Sequence, residues 1–285
     1  MNGQKSLSGH AALVTGGSSG IGQYTALALA REGAKVIITA RASPRLAETA
    51  ACLKAEIPGA EVETETVDYA SFASVRALAA RIRDRYPRLR ILVNNAGMVT
   101  PGRKLTVDGF ETLFQVNHLS PFLLTNLLLP SVKDAAPSRI VFVASNAAQS
   151  AILDFDDLQL AKGWSMMKAY GRSKLGNIMF TYALARRLEG TGVTVNALHP
   201  GFVGSRIGNK GGAADLLWAL IKPFALSPAQ GAETAVYAAI SPEMEGVSGQ
   251  YLIKKKPVRS SDLSYDFAAG EKLWAMSAEM VGLKD

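Results

Sequence analysis

The sequence has a single cysteine, Cys52, so no disulfide can form within the chain. That fits a reducing compartment and excludes a cysteine-built zinc site. It has only three histidines, His10, His118 and His199, and they do not cluster, so no metal site is expected. Long apolar runs are missing too. Leu216 to Leu226 is the most apolar stretch, but it is short and interrupted by Lys222 and Pro223. The first ten residues are polar and carry no apolar signal core. The expectation is a cytoplasmic protein with no membrane span. Acidic residues are outnumbered, giving a formal net charge of +7. The lysines and arginines are scattered, however, with Lys254 to Lys256 the longest basic run. This describes a solvated basic surface, and no nucleic-acid partner is expected.

What is present is a strand–helix alternation. Hydrophobic residues make up 48% of 285, enough for a substantial core. Ala11 to Thr15 is a short apolar run entering a glycine cluster. Gly22 to Glu32 has helical spacing, and Lys35 to Ala40 is a β-branched strand. The pattern continues with a helix over Pro44 to Ile57, a strand over Glu61 to Val67, a helix over Ser71 to Tyr86 and a strand over Arg90 to Asn94. One long helix is predicted from Gly109 to Pro130, then a strand over Arg139 to Ser145 and a helix over Ala169 to Leu188. A strand over Val193 to Leu198, a helix over Pro228 to Ser241 and a short strand over Gln250 to Ile253 follow, with only a short tail after them. Such alternation implies an α/β fold: a Rossmann-type, doubly wound parallel β-sheet with helices on both faces. No linker divides the chain, so a single domain is expected over 1–285. Within it, 1–10 reads as a tail, 202–228 as a substrate lid and 254–285 as a C-terminal extension.

The first strand-to-helix turn reads Thr15-Gly16-Gly17-Ser18-Ser19-Gly20-Ile21-Gly22. Glycines there let backbone N–H groups and a helix N-terminus close on a pyrophosphate. The spacing is G-x-x-x-G-x-G, unlike the G-x-G-x-x-G dinucleotide fingerprint. The second strand ends Ile38-Thr39-Ala40-Arg41. It offers no acid for a ribose 2′-hydroxyl. Arg41 instead offers a planar fork suited to a 2′-phosphate, with Ser18 and Ser19 as further donors, so NADP(H) is expected over NAD(H).

Tyr170 and Lys174 stand one helical turn apart on one predicted face. A phenol titrates near 10, and a nearby ammonium favours its ionised form, each tenfold change in acidity being worth about 1.4 kcal/mol. Ser145 ends a strand at the C-terminal edge of the sheet, where ligands sit in such folds.

With these pieces the chain resembles the short-chain dehydrogenase/reductase family over nearly its whole length. The resemblance rests on Thr15 to Gly22, Asp68, Asn94-Asn95-Ala96-Gly97, Asn117, Ser145, Tyr170 to Lys174, and Pro200-Gly201. It implies an enzyme that moves a hydride between NADP(H) and a carbonyl/alcohol pair. Tyr170 would exchange the proton, Lys174 would tune it and bond the nicotinamide ribose, and Ser145 would orient the substrate oxygen. Asn117, at a helix irregularity, would hold a water relaying protons through Lys174. For the cofactor, the resemblance implies contacts from Gly16, Ser18, Ser19, Gly20, Ile21 and Gly97. Asp68 and Tyr69 would flank the adenine, with Asn95 and Ala96 on the adenosine side. Pro200, Gly201, the backbone of Val203 and the Ser205 hydroxyl would hold the carboxamide end.

Asp157-Leu158-Gln159, Ala169 to Leu175 and Leu273-Trp274-Ala275-Met276-Ser277 are similar to the retinol dehydrogenase-like branch, as is an extra loop through Trp164. The family implies a homodimer or homotetramer built through two long helices, with Leu175, Ile178, Met179 and Tyr182 as part of that contact. The apolar residues of 204–226 fit either a lid over a hydrophobic ketone, aldehyde or alcohol substrate or a stripe that packs on the core or on a second subunit. Beside a retinol/retinal-type dehydrogenase acting on a specific lipid-like substrate, two other readings are a non-catalytic NADP(H)-binding regulator and a sugar-nucleotide epimerase. The intact Ser145, Tyr170 and Lys174 set the first aside. The glycine spacing and short C-terminal tail set the second aside.

Overall fold

Apolar, β-branched runs form the strands of one mixed sheet. In the computed structural model, which describes residues 6–203 and 225–283, these are β1 (Ala11–Thr15), β2 (Lys35–Ala40), β3 (Val62–Thr66), β4 (Leu89–Asn94), β5 (Ser138–Val143), β6 (Val193–His199), β7 (Gln250–Ile253) and β8 (Lys256–Pro257). They lie in the order β3-β2-β1-β4-β5-β6-β7-β8, parallel throughout except for the β7/β8 hairpin. The order reverses between β1 and β4. That switch point opens a crevice at the C-terminal ends of the strands, where ligands bind in this architecture. Central β1 is buried along its whole length. Edge strand β3 instead alternates charge, with Glu63 and Glu65 paired to Lys35, Arg81 and Arg85. Such charge protects an open edge from pairing with another chain.

Helices cover both faces. One apolar cluster packs α1 (Gly20–Arg31), α2 (Pro44–Glu56) and the later Pro228–Ile240 helix through Leu29, Leu53 and Ala235. The other joins α3 (Phe72–Arg85) with the long helices after β4 and β5 through Leu78, Leu123 and Ile178.

The long helix expected over Gly109 to Pro130 is three pieces: a short turn α4 (Thr112–Phe114), a π-turn over Gln115–Leu119, and α5 (Ser120–Asp134). The physical reason lies in Pro121. It has no N–H, so Asn117 cannot receive its ordinary i+4 hydrogen bond, and the ladder widens so that the Ser120 N–H reaches Gln115 O. Glu111 starts the segment by accepting the Phe114 N–H at 2.7 Å. Pro130 does not end α5, whose next residues, Ser131 and Val132, are buried.

After β5 come α6 (Met166–Arg187), α7 (Pro228–Ile240) and α8 (Phe267–Met280). The tail expected after Ile253 is thus a hairpin strand and a full helix. Asp266 caps α8 by accepting the Ala269 N–H at 3.0 Å. The Trp274 ring lies 5.2 Å from both Phe122 on α5 and Phe180 on α6. The Arg187 guanidinium stacks 3.9 Å from its centroid and also pairs with Glu271. Leu175, Ile178, Met179 and Tyr182 are buried within the chain itself, with Tyr182 stacked on Tyr265. At the other end, Leu7 is buried and its N–H bonds Glu32 O at 2.9 Å, so the tail is already anchored there. No helix among the described residues is long and apolar enough to cross a membrane.

Candidate active site

The glycine loop joins β1 to α1. Gly16 takes φ +66°, a left-handed conformation that side chains resist. Gly22 lets the first turn of α1 press on the loop: a Cβ there would fall 2.5 Å from both Gly16 O and Asn95 Nδ2. Ser19 occupies the N-cap without donating or accepting a capping bond, and the first turn holds no acidic residue. The helix therefore presents free N–H groups and positive dipole to the crevice, the physical requirement for holding a phosphate. Gly20 and Ile21 open that helix, and Ser18 faces α2, where its carbonyl accepts Thr49 Oγ1 at 3.0 Å.

The neighbouring strand ends complete the crevice. Arg41 follows β2 and is exposed. Asp68 follows β3 by two residues and folds its carboxylate onto the Ala70 N–H at 2.9 Å. Tyr69 is turned the other way: its ring is buried, its hydroxyl lies 2.7 Å from Thr39 Oγ1 and its carbonyl accepts Ser120 Oγ at 2.6 Å. Asn95 is similarly committed. Its amide donates to Thr15 O at 2.8 Å and Gly16 O at 3.3 Å. Thr15, whose hydroxyl accepts the N–H groups of Asn95 and Ala96, both at 2.9 Å, is the counterpart that sequence reasoning passed over. Together they lock the β4 end to the loop.

Pro200 and Gly201 follow β6. Beyond them Val203 bridges to Leu226, and the Leu226 N–H bonds Phe202 O at 2.8 Å. Val203 also packs beside Ile21, since a Cβ on Gly231 would lie 2.5 Å from Val203 and 3.2 Å from Ile21. The β6 exit and the start of α1 are thereby neighbours. Ser205 and most of the expected lid, 204–224, lie outside the described residues.

The four expected catalytic residues are brought together. Ser145 follows β5, where its side chain accepts the Ala147 N–H at 3.2 Å. Tyr170 and Lys174 project from the first turns of α6. Gly171 allows the two elements to meet, because a Cβ there would fall 2.8 Å from Ala147 O. Asn117 sits in the π-turn, pinned to the strand β4 exit: its Oδ1 accepts the Met98 N–H at 2.8 Å and its Nδ2 donates to Met98 O at 3.0 Å. Its Nδ2 also donates to Ser173 Oγ at 3.1 Å. Gly97 is the point where these groups converge, since a Cβ on it would lie 3.3 Å from Lys174 Nζ and 3.4 Å from Asn117 Oδ1.

The electrostatics differ from the sequence expectation. Burial raises the Tyr170 phenol above its ordinary value, and the opposing pull is a hydrogen bond with Ser145 rather than the charge of Lys174. The Lys174 ammonium is 5.7 Å from the Tyr170 ring centroid and donates to Val143 O at 2.8 Å. Its own burial pulls it down to about 8. The lysine side chain is fully desolvated, and each neutral form is the one the protein interior favours.

The loop between Ser145 and α6 is held as a rigid wall. Trp164 Nε1 donates to the buried Glu111 carboxylate at 3.2 Å, and Gln159 accepts the Glu111 N–H at 2.9 Å. Arg172 donates to the carbonyls of Ile152 and Asp157, and Arg103 to that of Leu160. Leu160 and Trp164 of this loop join Tyr170 in one small apolar cluster.

This arrangement fits a nicotinamide dinucleotide. The uncapped α1 N-terminus suits a pyrophosphate, and Gly16, Gly22 and Gly97 let the loop and the β4 exit pack closely where a Cβ would meet Ala96, Asn95, Lys174 or Asn117. A separate cavity of about 860 Å³, lined by Arg90, Arg139 and Glu245, opens at the opposite edge of the sheet, away from this chemistry. No cluster of metal-ligating side chains occurs among the described residues.

Comparison with known proteins agrees with this geometry. Residues 10–215 match the short chain dehydrogenase family. The chain is 43% identical to retinol dehydrogenase 14 of Homo sapiens, covering 96% of this chain and 87% of that protein. It is 42% identical to dehydrogenase/reductase SDR family member 13 of Bos taurus, over 99% of this chain and 75% of that one. The solved RhlG/NADP active-site complex of Pseudomonas aeruginosa superposes with a TM-score of 0.70 at 31% identity, covering 88% of this chain and 97% of the other. In sequence, fold and the convergence of Ser145, Tyr170 and Lys174, this chain belongs to the short-chain dehydrogenase family of oxidoreductases.

Proposed function

We propose that the whole chain works as one NADP(H)-dependent carbonyl reductase/alcohol dehydrogenase, acting on a hydrophobic ketone, aldehyde or alcohol in the cytoplasm. The observation that carries this reading is the meeting of Ser145, Tyr170, Lys174 and Asn117 at the crevice mouth, beside an uncapped helix N-terminus. The nicotinamide cofactor supplies or accepts the hydride when bound. Gly16 to Ile21 hold its pyrophosphate, Arg41 with Ser18 and Ser19 its 2′-phosphate, and Asp68, the Tyr69 backbone and Ala96 its adenosine half. Asn95 acts by holding the loop. Gly97, Pro200, Gly201, Val203 and Ser205 line the nicotinamide end. The NADP named in the Pseudomonas aeruginosa complex supports the choice of phosphorylated cofactor.

In the reductive direction the Tyr170 hydroxyl gives its proton to the substrate oxygen as negative charge develops there, and the Ser145 hydroxyl donates a second hydrogen bond to the same oxygen. Burial keeps Tyr170 protonated at neutral pH, the form a proton donor requires. Lys174 bonds the ribose and, with Asn117, returns a proton to the phenol. The retinol dehydrogenase relatives support a bulky apolar substrate. Any homodimer or homotetramer must use a surface other than the α6 stripe, which is buried within the chain.

The test is a substrate panel running from small polar ketones to retinaldehyde, with NADPH and NADH in parallel. NADPH-dependent turnover favouring the apolar members is expected. Tight NADPH binding with no turnover of any carbonyl would overturn the reading in favour of a non-catalytic regulator.

A further inference from the structure

A buried polar chain runs from the C-terminal helix to the π-turn. The Asn117 carbonyl has no i+4 partner, because that position is Pro121. Asn177 on α6 supplies the missing donor, its Nδ2 lying 2.8 Å from Asn117 O. With the nitrogen so committed, Asn177 Oδ1 is an acceptor. His118 Nδ1 faces it at 3.3 Å and must carry the imidazole proton. The other ring nitrogen is then an acceptor, and Ser277 Oγ on α8 lies 3.0 Å away to donate to it. Every bond points the same way: Ser277 to His118, His118 to Asn177, Asn177 to the Asn117 carbonyl. Aligned bonds of this kind reinforce one another in a low-dielectric interior.

The packing is built around this chain. Asn117, His118, Asn177 and Ser277 are all 2% exposed or less. Gly176 makes room for the imidazole, since a Cβ there would fall 2.8 Å from His118 Nδ1. Burial pulls the His118 imidazole down to about 4, so it stays neutral near neutrality and keeps one donor and one acceptor. Thr181 Oγ1 closes onto Asn177 O at 2.8 Å, fixing the helix beneath it.

We propose that Asn177 is a positioning residue for the catalytic group, fixing the Asn117 carbonyl, and that His118 and Ser277 carry this constraint from the C-terminal helix. The inference rests on the reading of Asn117 as part of the proton-transferring group. A carbonyl oxygen has two lone pairs. Asn177 takes one and holds the peptide plane, leaving the other in a set direction for the proton path through Lys174.

Two measurements test it. The chain has only three histidines, so ¹⁵N-histidine NMR reads His118 directly. The parent should show the Nδ1–H tautomer at His118, and Asn177→Leu, which removes its acceptor, should shift it towards the Nε2–H form. In steady-state assays Asn177→Leu should lower kcat on the order of tenfold or more, the scale of a small misplacement of a reacting group. Cofactor Kd should stay within about twofold, because Asn177 touches no part of the cofactor site proposed above. Ser277→Ala should show a smaller loss of kcat, restored by Ser277→Thr, which keeps the hydroxyl. An Nε2–H tautomer in the parent overturns the inference. So does an Asn177→Leu variant with parental kcat in a protein where Tyr170→Phe is inactive, a result that leaves the proposed function standing. A parent that turns over no carbonyl sinks both.

Discussion

Acidification should destabilise this protein through one identifiable residue. His118 is buried against Phe114 and Phe122 and bonded to Asn177 and Ser277, with its imidazole pulled from the ordinary 6.5 down to about 4. A histidine depressed in the folded state takes up its proton first in the unfolded chain, so the stability it permits is present above 6.5 and is lost as pH falls from there towards 4. Between pH 7 and pH 5 the loss from this group works out at about 2 kcal/mol. The assay is urea unfolding followed by tryptophan fluorescence, since Trp274 sits in the same cluster. Parent and His118→Gln should be compared at both pH values. The variant starts less stable, having lost the ring, but should fall less on acidification, by about 2 kcal/mol. His10 and His199 are also held below their ordinary values by burial, but they are common to both proteins and cancel. Equal losses in parent and variant would mean that His118 is not the group responsible.

Other outcomes follow from the same geometry. Gly171→Ala drives a methyl to within 2.8 Å of Ala147 O and should part Ser145 from Tyr170. The expected kcat loss is on the order of 10²-fold with little change in cofactor Kd, read by steady-state kinetics and fluorescence titration. Arg41→Ala should raise the NADPH KM on the order of tenfold while leaving the NADH KM nearly unchanged; equal effects would mean that Arg41 does not meet the phosphate. The Lys174 ammonium, brought down to about 8 by burial, should lose its proton as pH rises through that value. Cofactor affinity should therefore weaken between pH 7 and pH 9 in the parent, and Lys174→Met should show the weaker affinity at both, with no pH dependence from this group.

How far the sequence carries depends on which force sets each feature. The parallel strands were legible because a strand covered on both faces needs a continuous apolar run, as in Ala12-Leu13-Val14 and Val36-Ile37-Ile38. Helix periodicity failed between Gly109 and Pro130 because it records side-chain spacing and not missing N–H groups; Pro121, four residues after Asn117, was the available signal. Helix α8 was missed because Gly270 and small residues dilute its apolar face, although Asp266 marked its start. The meeting of Ser145, Tyr170 and Lys174 was readable from their co-occurrence with the glycine loop, not from the Tyr-Lys spacing alone. Their ionisation was not, since it is decided by burial between elements far apart in the chain. Tyr69 and Asn95 show the same limit: both stand where expected, but the core and the glycine loop claim their side chains. Asn177 carried no mark, and Ser277 stood in a stretch matched to the family without any sign of its partner His118, because both are polar positions on otherwise apolar faces.

The central claim is that the Tyr170 hydroxyl delivers the proton. Single-turnover reduction by parent and Tyr170→Phe, mixed with saturating NADPH and an apolar ketone, isolates that step from binding and release. The variant should bind cofactor normally and react about 10²- to 10⁴-fold more slowly, the range for loss of a general acid. Matching single-turnover rates in the two proteins would contradict it.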